Sequence, residues 1–281
     1  MKGRILTEKI IADFSAYLKS EEKSKNTIEK YLRDVRAFAA YLNGAEITKE
    51  AVIAYKNKLL SDNYAVRSIN SMLASLNSLV AFLGREDCRA KSIKLQRQIY
   101  CPEKKELTKA EYTRLVNAAK QKGNERLNLL IQTICCTGIR VSELQFITVE
   151  AVKNSETIVS LKGKTRTVFI IKDLKQKLLR YAAEQKIKSG MIFITRSGKP
   201  ISRTNIWRDM KGLCEQAGVN PGKVFPHNLR HLFARTFYGI EKDIAKLADI
   251  LGHSSINTTR IYIISTGNEH RRRMEHMRLI I

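Results

Sequence analysis

The sequence predicts a mainly α-helical protein with one small antiparallel sheet, arranged as two domains. Three observations carry this. Residues 1–95 hold four stretches whose apolar residues recur at helical spacing. A basic, aperiodic segment containing Pro102 follows. Helical texture then resumes, interrupted by short alternating runs, "TIVSL" and "TRTVFII", that read as strands. A length of 281 residues suits two domains.

The first helix is "TEKIIADFSAYLKSE", with Ile10, Ile11, Phe14, Tyr17 and Leu18 on one face. The second is expected to start at Asn26 as N-cap, with Glu29 reaching back, and its stripe is Ile28, Tyr31, Val35, Phe38 and Leu42. The third begins near Thr48. The fourth carries Val66, Ile69, Leu73, Leu76, Val80 and Leu83, and Gly84 ends it. Four amphipathic helices with short connections make a small bundle. The basic stretch 88–106 breaks the pattern. It reads as the interdomain linker, roughly 88–106, with the domain bounds set at 96–106, and it either tracks a phosphate backbone or is simply solvated. The second domain, 107–281, opens with the capping box "TKAE" at Thr108. Helices run to Gly138, a hairpin turns at Gly163, and "MIFIT" is a third short strand. The remaining helices are expected at 203–217, 226–238, 243–251 and 255–264.

Lys and Arg number 51 against 27 Asp and Glu, a formal charge of +24. An excess of this size speaks to partners rather than to fold. Nucleic acid leads, because each neutralised phosphate releases counterions; an anionic membrane surface comes second. A hydrophobic content of 43% is enough for real cores and excludes a disordered basic tail. No apolar run approaches the ~20 residues of a membrane span. No secretory signal follows "MKGRILTEK". A soluble, cytoplasmic protein is therefore expected. Cys88, Cys101, Cys135, Cys136 and Cys214 are odd in number and lack zinc spacing; Cys135 and Cys136, in the apolar helical run "LLIQTICCTG", read as small buried hydrophobes, and a reducing compartment suits all five.

Three short stretches combine residue types that grip an anion. In "CTGIRVSEL", Gly138 closes one helix and Arg140 falls in the first turn of the next. A helix N-terminus favours anions, and an arginine there adds a planar fork matching two phosphate oxygens. Glu143, three residues on, is placed to orient that fork. In "FPHNLRHLFA", Pro226 suits the first helical position, and His227, Arg230 and His231 crowd one face while the apolar run after them packs inward. Like charges at this spacing repel, a cost that an anion site would justify. In "LGHSSINTTRIYI", Gly252 ends a helix, His253 follows, and Ser254 or Ser255 caps the next helix, which carries Tyr262 nine residues beyond His253.

Taken in order, "TGIRVSEL", a lysine-bearing hairpin, "HNLRH", "LGHSS" and the spaced tyrosine resemble the tyrosine recombinase, or phage integrase, family, in an Xer-like form. The resemblance spans the whole chain. It implies a helical, SAM-like core-binding domain over 1–95 and a catalytic domain over 107–281. It implies a site-specific recombinase in which Tyr262 attacks a DNA phosphodiester, leaving a 3′-phosphotyrosyl link and a free 5′-hydroxyl. Arg140 and Arg230 would clamp the non-bridging oxygens, His227 would handle the tyrosine proton, His253 would bond the phosphate, and His231 would support them. A hairpin lysine would protonate the leaving oxygen. Here the hairpin, "LKGKTRTV", is shorter than the family's G-K-G-x-K-x-R, so that lysine is Lys162, with Lys164 as the alternative. Neither metal nor cofactor is required. The expected partners are double-stranded DNA and further copies of the chain, two domains clamping each duplex and four protomers working on two sites through a Holliday junction.

The sequence departs from the family at Leu232, Ile263 and Ile264, where threonine and a Thr-His pair are common. The tail "GNEHRRRMEHMRLII" offers Met274, Met277, Leu279, Ile280 and Ile281, which the resemblance assigns to a neighbouring protomer; folding back on its own domain is the alternative. Because no extra domain precedes the bundle, arm-site binding is not expected, which favours a compact resolvase or mobile-element recombinase acting on bacterial, nucleoid DNA. A type IB topoisomerase and an inactive DNA-binding relative are the competing functions.

Overall fold

A computed structural model describes residues 5–95, 106–161, 164–263, 271 and 274–277. The chain separates into two compact units, Met1–Arg97 and Gln98–Ile281.

The first unit is built from α1 (Glu8–Ser20), α2 (Lys25–Leu42), α3 (Lys49–Ser61) and α4 (Val66–Phe82). Thr7, Ser24 and Thr48 cap the first three through side-chain oxygens, each taking one of the orphan N–H groups of a first turn. The α2 cap is thus Ser24 and not Asn26. Ser24 Oγ accepts from the Thr27 N–H at 3.3 Å, which starts the helix two residues early. The apolar stripes meet in a core of Phe14, Leu18, Val35, Phe38, Ile69 and Leu73, all fully buried. The stretch from Cys88 belongs to this unit. Cys88 is buried, and Asn77 and Asn70 each exchange two hydrogen bonds with the backbone, at Ala90 and Ile93. Residues 96–105 of the expected linker lie outside the described residues.

The second unit begins with α5 (Lys109–Gln121), closed by the expected Thr108–Glu111 capping box. It continues with α6 (Glu125–Thr137), a 3-10 helix (Val141–Phe146) and α7 (Val149–Lys153). Then come β1 (Glu156–Leu161), β2 (Lys164–Phe169), α8 (Lys172–Glu184) and α9 (Arg203–Lys211). The last helices are α10 (Cys214–Ala217), α11 (Pro226–Glu241), α12 (Ile244–Leu251) and α13 (Ile256–Ile263). Helix α6 carries Leu127, Leu129, Leu130, Ile131 and Ile134, buried all round, as befits the centre of a domain. A second, smaller cluster of Ala234, Leu247, Leu251 and Tyr262 ties α11, α12 and α13 together.

The sheet has two antiparallel strands, with Leu161 opposite Lys164. The expected third strand, "MIFIT", forms only isolated bridges, Met191 with Thr148 and Ile194 with Pro200. A proline partner lacks the N–H a ladder needs. The single helix expected over 203–217 breaks between Lys211 and Cys214. Helix α8 was not expected, although Leu174, Leu178, Tyr181 and Ala182 form its buried stripe. Among the described residues no helix is long and apolar enough to cross a membrane. Met274 and Met277 are exposed, while Leu279, Ile280 and Ile281 lie outside the described residues.

Candidate active site

Gly138 ends α6 at φ +64°, a conformation that L side chains rarely adopt. A Cβ there would also sit 2.5 Å from Phe233 Cδ1. The tight exit delivers Arg140 as the N-cap of the 3-10 helix rather than into the first turn of an α-helix. Glu143 then closes a reciprocal box: one carboxylate oxygen accepts from the Arg140 N–H at 2.8 Å and the other from Arg140 Nη1 at 2.8 Å. Glu143 is buried, whereas the Arg140 side chain is 39% exposed, so the rest of its guanidinium faces solvent. Burial pushes the Glu143 carboxyl up, but the Arg140 hydrogen bonds and the Arg166 charge outweigh it, and the group stays below its ordinary range.

Pro226 occupies the first position of α11, as expected. One turn later Arg230 is 1% exposed, an unusual place for a guanidinium. It donates to the carbonyls of Gly138 and, at 2.7 Å, Leu251, and it lies 3.0 Å from His253 Nε2. Because the arginine must be the donor, His253 Nε2 accepts. The proton then resides on Nδ1 and is donated to Thr259 Oγ1 at 2.9 Å. Gly252, at φ +64°, turns the chain so that His253 can reach inward. Ser255, not Ser254, accepts from the N–H of Asn257 at the start of α13.

Tyr262 is 6% exposed and sits among these groups. Its ring stacks on His231 at 4.3 Å between centroids, meets His227 edge-on at 5.3 Å, and lies 5.1 Å from His253. The Arg230 guanidinium carbon stands 5.8 Å over the same ring. Burial, then the charges of Arg230 and Arg140, bring His253 down to about 4. Burial, then His227 and Arg230, bring His231 to about 4, and burial, Arg230, Arg140 and Arg203 lower His227. Burial and the nearby Arg140 charge lower Arg230 to about 10, with Tyr262 opposing. The pocket therefore holds neutral imidazoles beside guanidinium groups, Arg140, Arg166 and Arg230, that outnumber the Glu143 carboxylate among them.

Arg140, His227 and Arg230 line a cleft of about 640 Å³, together with Gln145, Arg203 and Trp207. Of the residues singled out in the sequence, Arg230, His227, His231, His253 and Tyr262 form one cluster, and Arg140 joins two of them at the cleft. Lys162 lies outside the described residues, and of Lys164 only the strand position is described. Sequence reasoning missed Arg166, Thr259, Arg203 and Trp207. Arg166 was legible as the final arginine of the hairpin pattern. Thr259, fully buried, gave no signal beyond its place between His253 and Tyr262.

The fold and this cluster define a class: a helical bundle followed in the chain by a second unit in which arginines, histidines and a tyrosine converge. The phage integrase family model matches residues 105–269, and the phage integrase N-terminal SAM-like domain matches residues 11–87. The chain belongs to the phage integrase family, the tyrosine-type site-specific recombinases. It is 29% identical to tyrosine recombinase XerA of Pyrococcus furiosus, covering 100% of this chain and 98% of the relative. It is 28% identical to tyrosine recombinase XerD of Halalkalibacterium halodurans, covering 85% of this chain and 87% of the relative. Among solved structures, a XerA recombinase crystal structure aligns over 98% of this chain and 100% of its own, at 26% identity and a TM-score of 0.55. A lambda integrase tetramer bound to a Holliday junction covers 90% of this chain and 76% of its own, with 18% identity and a TM-score of 0.72.

Proposed function

We propose that this protein cleaves and rejoins DNA at specific sites, with Tyr262 as nucleophile. The observation that carries the assignment is the packing of one phenol against His227, His231, His253 and Arg230. The Tyr262 oxygen attacks the scissile phosphorus while His227, neutral and so able to accept, takes the phenolic proton. The phosphorus–oxygen bond to the 5′ side breaks, and a hairpin lysine, Lys162 or Lys164, protonates the departing 5′-oxygen. Arg140 and Arg230 hold the non-bridging oxygens as negative charge grows on them, a contribution of roughly 3–4 kcal/mol per donor. For His253 to donate to the phosphate as well, Nε2 must carry the proton, which requires it to part from Arg230. Rejoining reverses these steps: the hairpin lysine takes the proton of the 5′-hydroxyl as its oxygen attacks the phosphotyrosine, and His227 returns a proton to the departing Tyr262 oxygen. The phosphodiester energy stays in the covalent link, so no nucleotide is consumed.

Both units present basic surface to duplex DNA, in keeping with the charge of +24. Exchange between two sites through a Holliday junction by a tetramer accords with the lambda integrase tetramer bound to a Holliday junction, which shares this fold; in this reading the C-terminal segment of each protomer contacts a neighbour. We assign the protein to the cytoplasm, in contact with chromosomal DNA. Relatives in both an archaeon and a bacterium leave the bacterial setting expected from the sequence unsupported.

The test uses duplexes recovered by binding selection from a random-sequence pool, nicked beside the cleavage point so that the released fragment diffuses away. Wild-type protein should accumulate a covalent adduct. Tyr262→Phe should lose it by more than ~10³-fold, with duplex affinity retained. Adduct formation by the variant at the wild-type rate would overturn the assignment.

A further inference from the structure

Arg166 lies on β2 opposite Val159, on the inward face of the hairpin, with its side chain 9% exposed. Nη2 donates to Glu143 Oε2 at 2.6 Å, and Nη1 donates to the Ile250 carbonyl at 2.7 Å. Glu143 is the carboxylate that holds both the backbone and the guanidinium of Arg140. Ile250 lies three residues before His253, and Gly252 between them approaches Arg166 so closely that a Cβ would fall 2.4 Å from Arg166 Cδ. One guanidinium on the strand after the lysine turn thus ties the 3-10 helix capped by Arg140 to the last turn of α12, just before His253.

A buried ion pair is a poor source of stability, because desolvation cancels most of its attraction, and an apolar replacement is often tolerated. Its geometry is another matter. With Arg166 absent, Glu143 keeps only Arg140 and is free to rotate, and the partly exposed Arg140 loses its fixed aim. The Ile250 carbonyl loses its donor just before the turn that sets His253.

We infer that Arg166 is a positioning residue: through Glu143 it aims Arg140 at one non-bridging oxygen of the scissile phosphate, and through Ile250 it fixes the turn that presents His253. The inference rests on the phosphate-binding roles proposed above. It extends the site to a residue outside the phosphate's direct contacts and couples the hairpin to both arms of the clamp.

The experiment measures single-turnover cleavage of the selected nicked duplex by wild type, Arg166→Met, Arg166→Lys, Glu143→Gln and the Arg166→Met/Glu143→Gln double variant. Each is paired with a melting temperature and a duplex affinity. Arg166→Met should bind within ~3-fold of wild type and cleave ~30–100-fold more slowly. Arg166→Lys should recover part of the rate, since an ammonium cannot reach both acceptors as a fork. The double variant should be little slower than either single one, because both changes release the same arginine. The decisive arm replaces one non-bridging oxygen at the scissile phosphate by methyl, giving two methylphosphonate diastereomers. On the diastereomer lacking the oxygen that Arg140 grips, the Arg166→Met defect should shrink to less than ~5-fold. An equal defect on the phosphate and both diastereomers, or additive losses in the double variant, would make Arg166 a simple structural staple and overturn the inference. If Arg166→Met does not fold, Arg166→Lys carries the same comparison. Failure of wild type to cleave the unmodified phosphate would count against the proposed function instead.

Discussion

The amino-terminal bundle and the carboxy-terminal unit treat buried polarity in opposite ways. In the bundle the buried polar side chains among the described residues are Asp34 and Ser75, bonded to each other and to Lys30 beside them. The rest of its core is aliphatic and aromatic. The second unit buries more polar side chains, among them Asn128, Thr133, Thr137, Thr157 and Asn228, and three of the most buried, Glu143, Arg230 and Thr259, stand within one constellation around Tyr262 and Arg140. Local rules of burial hold where the chain needs only to be stable. They are broken most heavily around Tyr262, where a guanidinium and a carboxylate are both buried. Ala234, Leu247 and Leu251 cluster with Tyr262, with Phe233, Phe237, Tyr238 and Ile263 packed against them.

That contrast is open to attack from each side. The largest effect on stability is expected in the bundle. Phe38→Ala removes a fully buried ring that packs on Tyr55 at 5.1 Å, and should cost about 3–5 kcal/mol. Hydrogen exchange should show the lost protection confined to residues 5–95; equal loss in residues 106–263 would break the division of labour. Gly138→Ala comes next, at about 2–4 kcal/mol, from an unfavourable φ and collision with Phe233. Because the Gly138 carbonyl also accepts from Arg230, this variant should lose cleavage as well as melting temperature. A third effect, graded rather than all-or-none, is set by pH. His231 and His253 are held at about 4, against roughly 6.5 in an unfolded chain. Their neutral forms support the fold fully above about pH 6.5. As pH falls toward 4 the unfolded chain takes up protons first, so the melting temperature should decline across that window. A melting temperature that is flat over the same range would contradict the burial of those rings.

The same contrast explains what the sequence disclosed. Period-3.6 stripes at Phe14, Phe38 and Leu73 revealed the bundle, because a single apolar face has a single spatial meaning. The cap of α2 was misplaced because Ser24 and Asn26 are equally good acceptors and only geometry chooses between them. The residues of the site were legible as types, Arg140, His227, Arg230, His253 and Tyr262, through their order and spacing. Their state was not. That Arg230 is buried, that His253 accepts from it, and that Arg166 bridges the 3-10 helix and α12 are consequences of contacts 21 to 92 residues apart in the chain. Helix α8 was overlooked between two conspicuous strand-like runs, and the "MIFIT" run read as a strand because β-branched content alone does not supply a partner.

The most direct measurement is to digest the covalent adduct with trypsin and sequence the DNA-linked peptide by mass spectrometry. The account predicts a single modified peptide, beginning after Arg260, with a 3′-phosphate esterified to Tyr262. A phosphate carried on any other side chain, or a linkage through a 5′-phosphate, would contradict it.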